Sequence, residues 1–122
     1  MRTISSVLVI EDDPPVLHTL TTLLNGVGIG NVCPTRSAES ALELLKEQCF
    51  NLIVSDYRLE GMNGVELLES LRDRGDETPF LLISGAPDAA GVIRASHQSK
   101  VQFHAKPFQL KDFLGAVEEL AA

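Results

Sequence analysis

Six residues have the type and the placement to do chemistry. Glu11, Asp12 and Asp13 follow the apolar run VLVI, Asp56 follows NLIVS, Ser84 follows FLLI and Lys106 follows VQFHA. Carboxylates crowded together repel and raise one another's pKa unless a cation joins them. A donor set of oxygens with room for water suits Mg²⁺, or Mn²⁺ in its place, better than zinc. Mg²⁺ held by few carboxylates shares its shell with phosphate oxygens, and Lys106 would bring a second positive charge to those oxygens. A carboxylate beside Mg²⁺ and a lysine is itself a nucleophile toward phosphorus, and the product is an aspartyl phosphate. Asp56 is the best placed for that role because it stands alone after its apolar run. Glu11 and Asp12 are adjacent and better suited to share the metal and its waters.

These residues converge only if the elements before them lie side by side. Short β-branched runs alternate five times with stretches whose apolar residues return at helical spacing. Val7 to Ile10 reads as a strand covered on both faces. Val16, Leu20, Leu23, Leu24 and Val27 then form a helical stripe, with Asp13 as N-cap and Pro14 in the first turn. Gly26, Gly28 and Gly30 end that helix before a short second strand, Asn31 to Thr35. Ser37 caps a helix carrying Ala38, Ala41, Leu42 and Leu45, and Phe50 to Ser55 is the third strand. Asn63 and Glu66 have capping-box spacing ahead of Gly64, Leu67, Leu68 and Leu71. Pro79 opens a fourth strand, Phe80 to Ile83. Asp88 to Gln98 is a thinly patterned helix containing Gly91, Val101 to Ala105 is a fifth strand, and Leu110, Phe113, Leu114, Val117 and Leu120 line the last helix. Five β-α units with short connections predict an α/β fold: a doubly wound, five-stranded parallel sheet with right-handed crossovers and helices on both faces. Such sheets bind ligands beyond the carboxyl ends of their strands, where all six residues fall.

Composition bounds the rest. A length of 122 residues fits one domain, spanning 1–122, and 44% hydrophobic residues suffice for a core without disulfides or metal. Seventeen acidic against ten basic residues give a net charge of −7, the wrong sign for neutralising nucleic-acid phosphates. The acids at 11–13 would interrupt any secretory apolar segment, and no run reaches the roughly 20 apolar residues that span a bilayer, so no membrane association is expected. Cys33 and Cys49 match no C-x-x-C or zinc spacing and are expected to be reduced, packed thiols of a cytoplasmic protein.

The segments VLVIEDDPPV, NLIVSDYRLEGMNGVELL, PFLLISGA and FHAKPF, in this order and spacing, resemble the receiver domain of two-component response regulators, including the chemotaxis-regulator type, over essentially the whole chain. The resemblance implies the flavodoxin-like strand order 2-1-3-4-5, which the handful of doubly wound folds also includes. It implies that Asp56 is the phosphoacceptor, and that Glu11 and Asp12, with Asp56 and the backbone carbonyl of Arg58, hold Mg²⁺. It further implies that Ser84 is the hydroxyl that moves toward the phosphoryl group, Lys106 the lysine that pairs with it, and Phe103 the aromatic switch. Asp13 matches an acidic position that does not bind metal, and the Lys106–Pro107 bond would be cis. Three departures stand out. Glu60 occupies a place where relatives often carry Pro, which predicts a looser, more acidic loop. Ser99 replaces a frequent glycine before the fifth strand, and Phe103 lacks the hydroxyl of the commoner Tyr.

The expected function is that of a phosphorelay protein, which takes phosphoryl from a sensor histidine kinase or histidine phosphotransfer protein and presents helix 4, strand 5 and helix 5 to a downstream protein. No enzyme activity is expected beyond self-phosphorylation and autodephosphorylation. Whether the chain stands alone or is cut from a longer regulator or hybrid kinase is left open, as is its oligomeric state. A Mg²⁺-dependent aspartyl phosphatase is the enzyme-class alternative, but that class places D-x-D after its first strand and needs a cap. A degenerate receiver used for assembly conflicts with the complete residue set, and an FMN protein with the acids at 11–13. His18, His97 and His104 lack partners at metal spacing and any kinase-type context. Gly26–Gly30 follows a helix, the reverse of a nucleotide-binding glycine loop.

Overall fold

The computed structural model describes residues 5–85, 89–106 and 109–121. Within them lie five strands, β1 (Ser6–Ile10), β2 (Asn31–Thr35), β3 (Leu52–Asp56), β4 (Phe80–Ser84) and β5 (Val101–Ala105). They alternate with α1 (Pro14–Gly26), α2 (Ala38–Glu47), α3 (Gly64–Asp73), α4 (Ala89–Ser96) and α5 (Leu110–Ala121). The strands form one parallel sheet in the order β2-β1-β3-β4-β5. Both the architecture and the strand order expected from the sequence are observed.

Alternation along the central strands builds two cores. Leu8, Ile10, Ile53, Phe80 and Leu82 face α2, α3 and α4, meeting Ala38, Ala41, Leu67, Leu68, Leu71 and Ala95. Val7, Val9, Leu52, Val54, Leu81 and Ile83 face α1 and α5, meeting Leu20, Leu24, Phe113, Ala116 and Val117. Because every second residue goes to each face and both faces are covered, these strands read in the sequence as unbroken apolar runs.

Local chemistry sets the ends of the elements. Ser37 accepts from the Ser40 amide at 3.0 Å, and Asn63 and Glu66 form the reciprocal capping box, at 2.8 and 2.9 Å. Asp13 occupies the N-cap position of α1, but its side chain makes no capping hydrogen bond among the described residues. Pro14 and Pro15 at the first two helical positions remove two of the amides a cap would satisfy. Val27 is exposed just past α1 instead of continuing its buried stripe. The third strand begins at Leu52, two residues later than its apolar run, and the Asn51 side chain just before it accepts from the amides of Ser5 and Ser6. Cys33 is half-buried as expected, whereas Cys49 is exposed.

Two close approaches tie helices to the strand ends. A Cβ on Gly64 would lie 2.5 Å from the Asp56 carbonyl oxygen, so only glycine lets α3 start against β3. Gly91 is buried, with Tyr57 Oη 2.8 Å from where its Cβ would be. The residue that thins the apolar pattern of α4 is therefore the point at which that helix meets the residue following Asp56. Asp88, the expected start of this helix, lies outside the described residues, as do Ala86, Pro107 with its expected cis bond, and Phe108.

Candidate functional site

Register brings the separate acids together. Ile10 is paired with Ser55, so Glu11 and Asp56 emerge abreast from β1 and β3. Asp56 is paired with Ile83, so Ser84 stands one step beyond it on β4, and Ser84 is paired with Ala105, the residue before Lys106. One ligand oxygen from each of Glu11, Asp12 and Asp56 lies within 4.8 Å of the others. Lys106 Nζ donates to Glu11 Oε1 at 3.1 Å and is 3.4 Å from Asp56 Oδ1. Five of the six chemistry-bearing residues thus share one end of the sheet at adjacent positions, and Asp13 is exposed beside them.

Burial makes this group electrostatically tense. Glu11 is 1% exposed, and its Oε2 has no hydrogen-bond partner among the described residues. Burial pushes its pKa from 4.5 to about 7, helped by the adjacent Asp56 carboxylate and opposed by Lys106. For Lys106, burial alone would favour the neutral amine, but Asp56 and Glu11 hold its pKa above the ordinary value. One ammonium facing two carboxylates leaves a net negative pocket. An unpartnered buried carboxylate oxygen there is filled either by a proton or by a cation. The donor set is all oxygen, which fits Mg²⁺.

The surrounding loops orient these groups. Asp12 Oδ2 accepts from the Glu60 amide at 3.2 Å, and its carbonyl accepts from Arg36 at 3.4 Å. The loop at Glu60 is therefore held to the acidic pair, where the sequence suggested a looser segment. The Arg58 side chain is exposed. Ser84 is fully buried, and its carbonyl accepts from the Lys106 amide at 2.7 Å. Phe103 is half-buried against the core that includes Leu82, its strand partner. An apolar groove lined by Val16, Leu20, Leu23 and Gly85 opens beside Lys106.

Sequence reasoning passed over Glu39, whose carboxylate accepts from the Met62 amide at 3.2 Å. Its partner is a main-chain N–H, which every non-proline residue carries, so residue types gave no signal.

Residues 7–118 match the sequence profile of the response regulator receiver domain. The chain is 33% identical over 121 residues to the transcriptional regulatory protein FixJ of Bradyrhizobium diazoefficiens, covering 99% of this chain and 58% of that protein. It is 28% identical over 113 residues to the response regulator protein TodT of Pseudomonas putida, covering 93% of this chain and 49% of that one. The chain thus spans about half the length of these curated relatives. Its fold superposes on a CheY-like response regulator receiver domain protein from Methanospirillum hungatei JF-1 with a TM-score of 0.89. That match covers 98% of this chain and 94% of the other, at 22% identity.

Proposed function

Because the chain belongs to the response regulator receiver domain family of two-component systems, we propose that Asp56 is its phosphoacceptor, working with Mg²⁺ held by Glu11, Asp12, Asp56 and the Arg58 carbonyl. The observation that carries this reading is the buried Glu11 oxygen without a partner, beside an Asp56 that already faces a lysine ammonium. In the proposed reaction an Asp56 oxygen attacks the phosphorus of a phosphohistidine on a sensor kinase or phosphotransfer protein. The new O–P bond forms as the N–P bond breaks, and the imidazole leaves with the electron pair and takes up a proton. Bound Mg²⁺ supplies positive charge to the phosphoryl oxygens in transfer.

The chain's own residues do the rest. Lys106, held between Glu11 and Asp56, exchanges part of its contact with Asp56 for a phosphoryl oxygen. The Ser84 hydroxyl donates to another, and Phe103 follows it inward. The donor approaches over the groove between α1 and Lys106. The result is a shift in population of the α4-β5-α5 face toward a state that binds a downstream protein. Hydrolysis of the acyl phosphate returns the domain to its starting state, and no other catalysis is proposed. The cytoplasm, where kinase domains meet such proteins, is the proposed site of action; among the described residues no helix is long and apolar enough to cross a membrane.

The test is incubation with acetyl phosphate and Mg²⁺, followed by intact-protein mass. Wild type should gain one phosphoryl group, and Asp56→Asn and metal-depleted wild type should gain none. Equal labelling of Asp56→Asn would overturn the assignment.

A further inference from the structure

The loop from 57 to 63 joins β3 to α3 and carries both Tyr57 and the Arg58 carbonyl. Three of its amides end on carboxylates from three different parts of the chain. Glu60 N–H donates to Asp12 Oδ2 at 3.2 Å, Met62 N–H to Glu39 Oε2 at 3.2 Å, and Asn63 N–H to Glu66 Oε1 at 2.9 Å. Glu66 belongs to the capping box of α3 and Asp12 to the acidic pair. Glu39 has no such duty. It lies in the first turn of α2, exposed, and its carboxylate reaches across to the loop.

The loop is shaped to receive it. Gly61 adopts φ +78°, a conformation that side chains rarely take. A Cβ at Gly61 would lie 3.0 Å from Glu39 Oε2, and both other carboxylate atoms of Glu39 are 3.6 Å from the same point. A glycine thus turns the loop and leaves the space in which the Glu39 carboxylate rests. The start of α2 is anchored at the same place, since Arg36 donates to the Asp12 carbonyl and the Glu11 amide donates to the Thr35 carbonyl at 3.1 Å.

We propose that Glu39 is a positioning residue for the metal side of the site. By holding the Met62 amide it fixes the loop so that the Glu60 amide engages one oxygen of Asp12, leaves the other for metal and presents the Arg58 carbonyl beside it. The proposal rests on the Mg²⁺ reading above for its consequence, and on the loop contacts alone for its mechanism. The hydrogen bond needs an acceptor oxygen at Glu39 and no charge, so Gln is the conservative replacement and Ala the disruptive one.

The experiment has two arms on the full chain. In the first, amide exchange of Met62 and Glu60 is followed by NMR in metal-free wild type, Glu39→Ala and Glu39→Gln. Both amides should exchange about 5- to 10-fold faster in the Ala variant and near the wild-type rate in the Gln variant. In the second, Mg²⁺ is titrated against the emission of Tyr57, the single tyrosine of a chain without tryptophan. Glu39→Ala should bind about 10-fold more weakly, at the low end for groups that orient a ligand, with Glu39→Gln within about twofold of wild type. Unchanged amide exchange in Glu39→Ala overturns the proposal. So does a Gln variant as impaired as Ala, which would mean that charge matters and the hydrogen bond does not. Wild type that fails to bind Mg²⁺ at millimolar concentration would instead remove the metal reading, and the exchange arm would still decide whether Glu39 holds the loop. Gly61→Ala is the second variant: it should mimic Glu39→Ala in both readouts and add little when the two are combined.

Discussion

Two buried charges sit at opposite ends of the sheet, and the chain treats them differently. Arg72, near the end of α3, has a side chain 4% exposed. Its guanidinium donates to the carbonyls of Asp76 and Thr78 at 2.8 Å each, and to that of Ser99 at 2.9 and 3.3 Å, with the half-exposed Glu77 a further 3.9 Å away. Burial pulls its pKa down, Glu77 and Asp76 oppose this, and it remains a cation. Glu11, at the carboxyl end, has a side chain 2% exposed, one lysine contact and an oxygen with no partner. Arg72 is completed by the chain itself, and Glu11 is left for something else to complete. Burial of a charge alone marks neither stability nor function; whether its hydrogen-bonding capacity is filled tells the two apart.

The strongest way to break this contrast is Arg72→Met, which keeps the length of the side chain and removes its donors. Three carbonyls on two loops then lose a charged partner, and the cost should be roughly 3–5 kcal/mol in urea unfolding. The folded fraction should still accept phosphoryl from acetyl phosphate, since nothing at the carboxyl end has changed. A loss below about 1 kcal/mol would mean that Arg72 is not the staple the geometry describes.

Glu11 should behave in the opposite sense. Its folded pKa near 7 lies above its ordinary 4.5, so between these values the folded state binds more protons than the unfolded one. Stability of the metal-free protein therefore falls as pH rises from about 4.5 through about 7 and levels off above, by roughly 2–3 kcal/mol from this group. Glu11→Gln should flatten that part of the curve and leave the metal-free protein about 1–2 kcal/mol more stable than wild type at pH 8. Millimolar Mg²⁺ should stabilise wild type at pH 8 and hardly at pH 4.5, where the carboxyl is protonated, and should do little for Glu11→Gln. Denaturant titrations at the two pH values, with chelator or with Mg²⁺, separate these outcomes. A metal-free wild type that gains stability from pH 5 to pH 8 would refute the tension assigned to Glu11.

The same contrast explains what could be read from residue order. Glu11, Asp12, Asp56, Ser84 and Lys106 were legible because each stands at or just beyond the carboxyl end of a strand, and parallel register converts that into adjacency. The two-faced cores were legible because alternation into two covered layers leaves apolar runs. Arg72 was invisible: it looks like any cation in the last turn of a helix, and its partners are carbonyl oxygens common to all residues. Glu39 escaped notice for the same reason, with amides as partners. Asp13 was legible as the N-cap position of α1, but its side chain makes no capping bond because Pro15 lacks the amide such a bond would use. Tyr57 and Gly91 carried no signal, since their close approach joins segments more than 30 positions apart.

The turn before β5 shows the staple and a strained residue acting on one another. Ser99 stood out in the sequence as a missing glycine, but the left-handed conformation falls one residue later, on Lys100 at φ +55°. A side chain in that region costs about 1–2 kcal/mol, part of which glycine returns as lost chain entropy. Lys100→Gly should therefore stabilise the protein by about 0.5–1 kcal/mol. The Lys100 carbonyl accepts from the Phe80 amide at 2.9 Å, so the turn sets where β5 joins β4 and cannot relax freely. Arg72 grips the Ser99 carbonyl from the other side. If that grip imposes the strain, Lys100 relaxes once Arg72 is gone, and glycine should gain less in the Arg72→Met background than in wild type. An equal gain in both backgrounds would show that pairing of β5 with β4, not Arg72, holds the turn, and the staple would then be confined to the Asp76–Thr78 side.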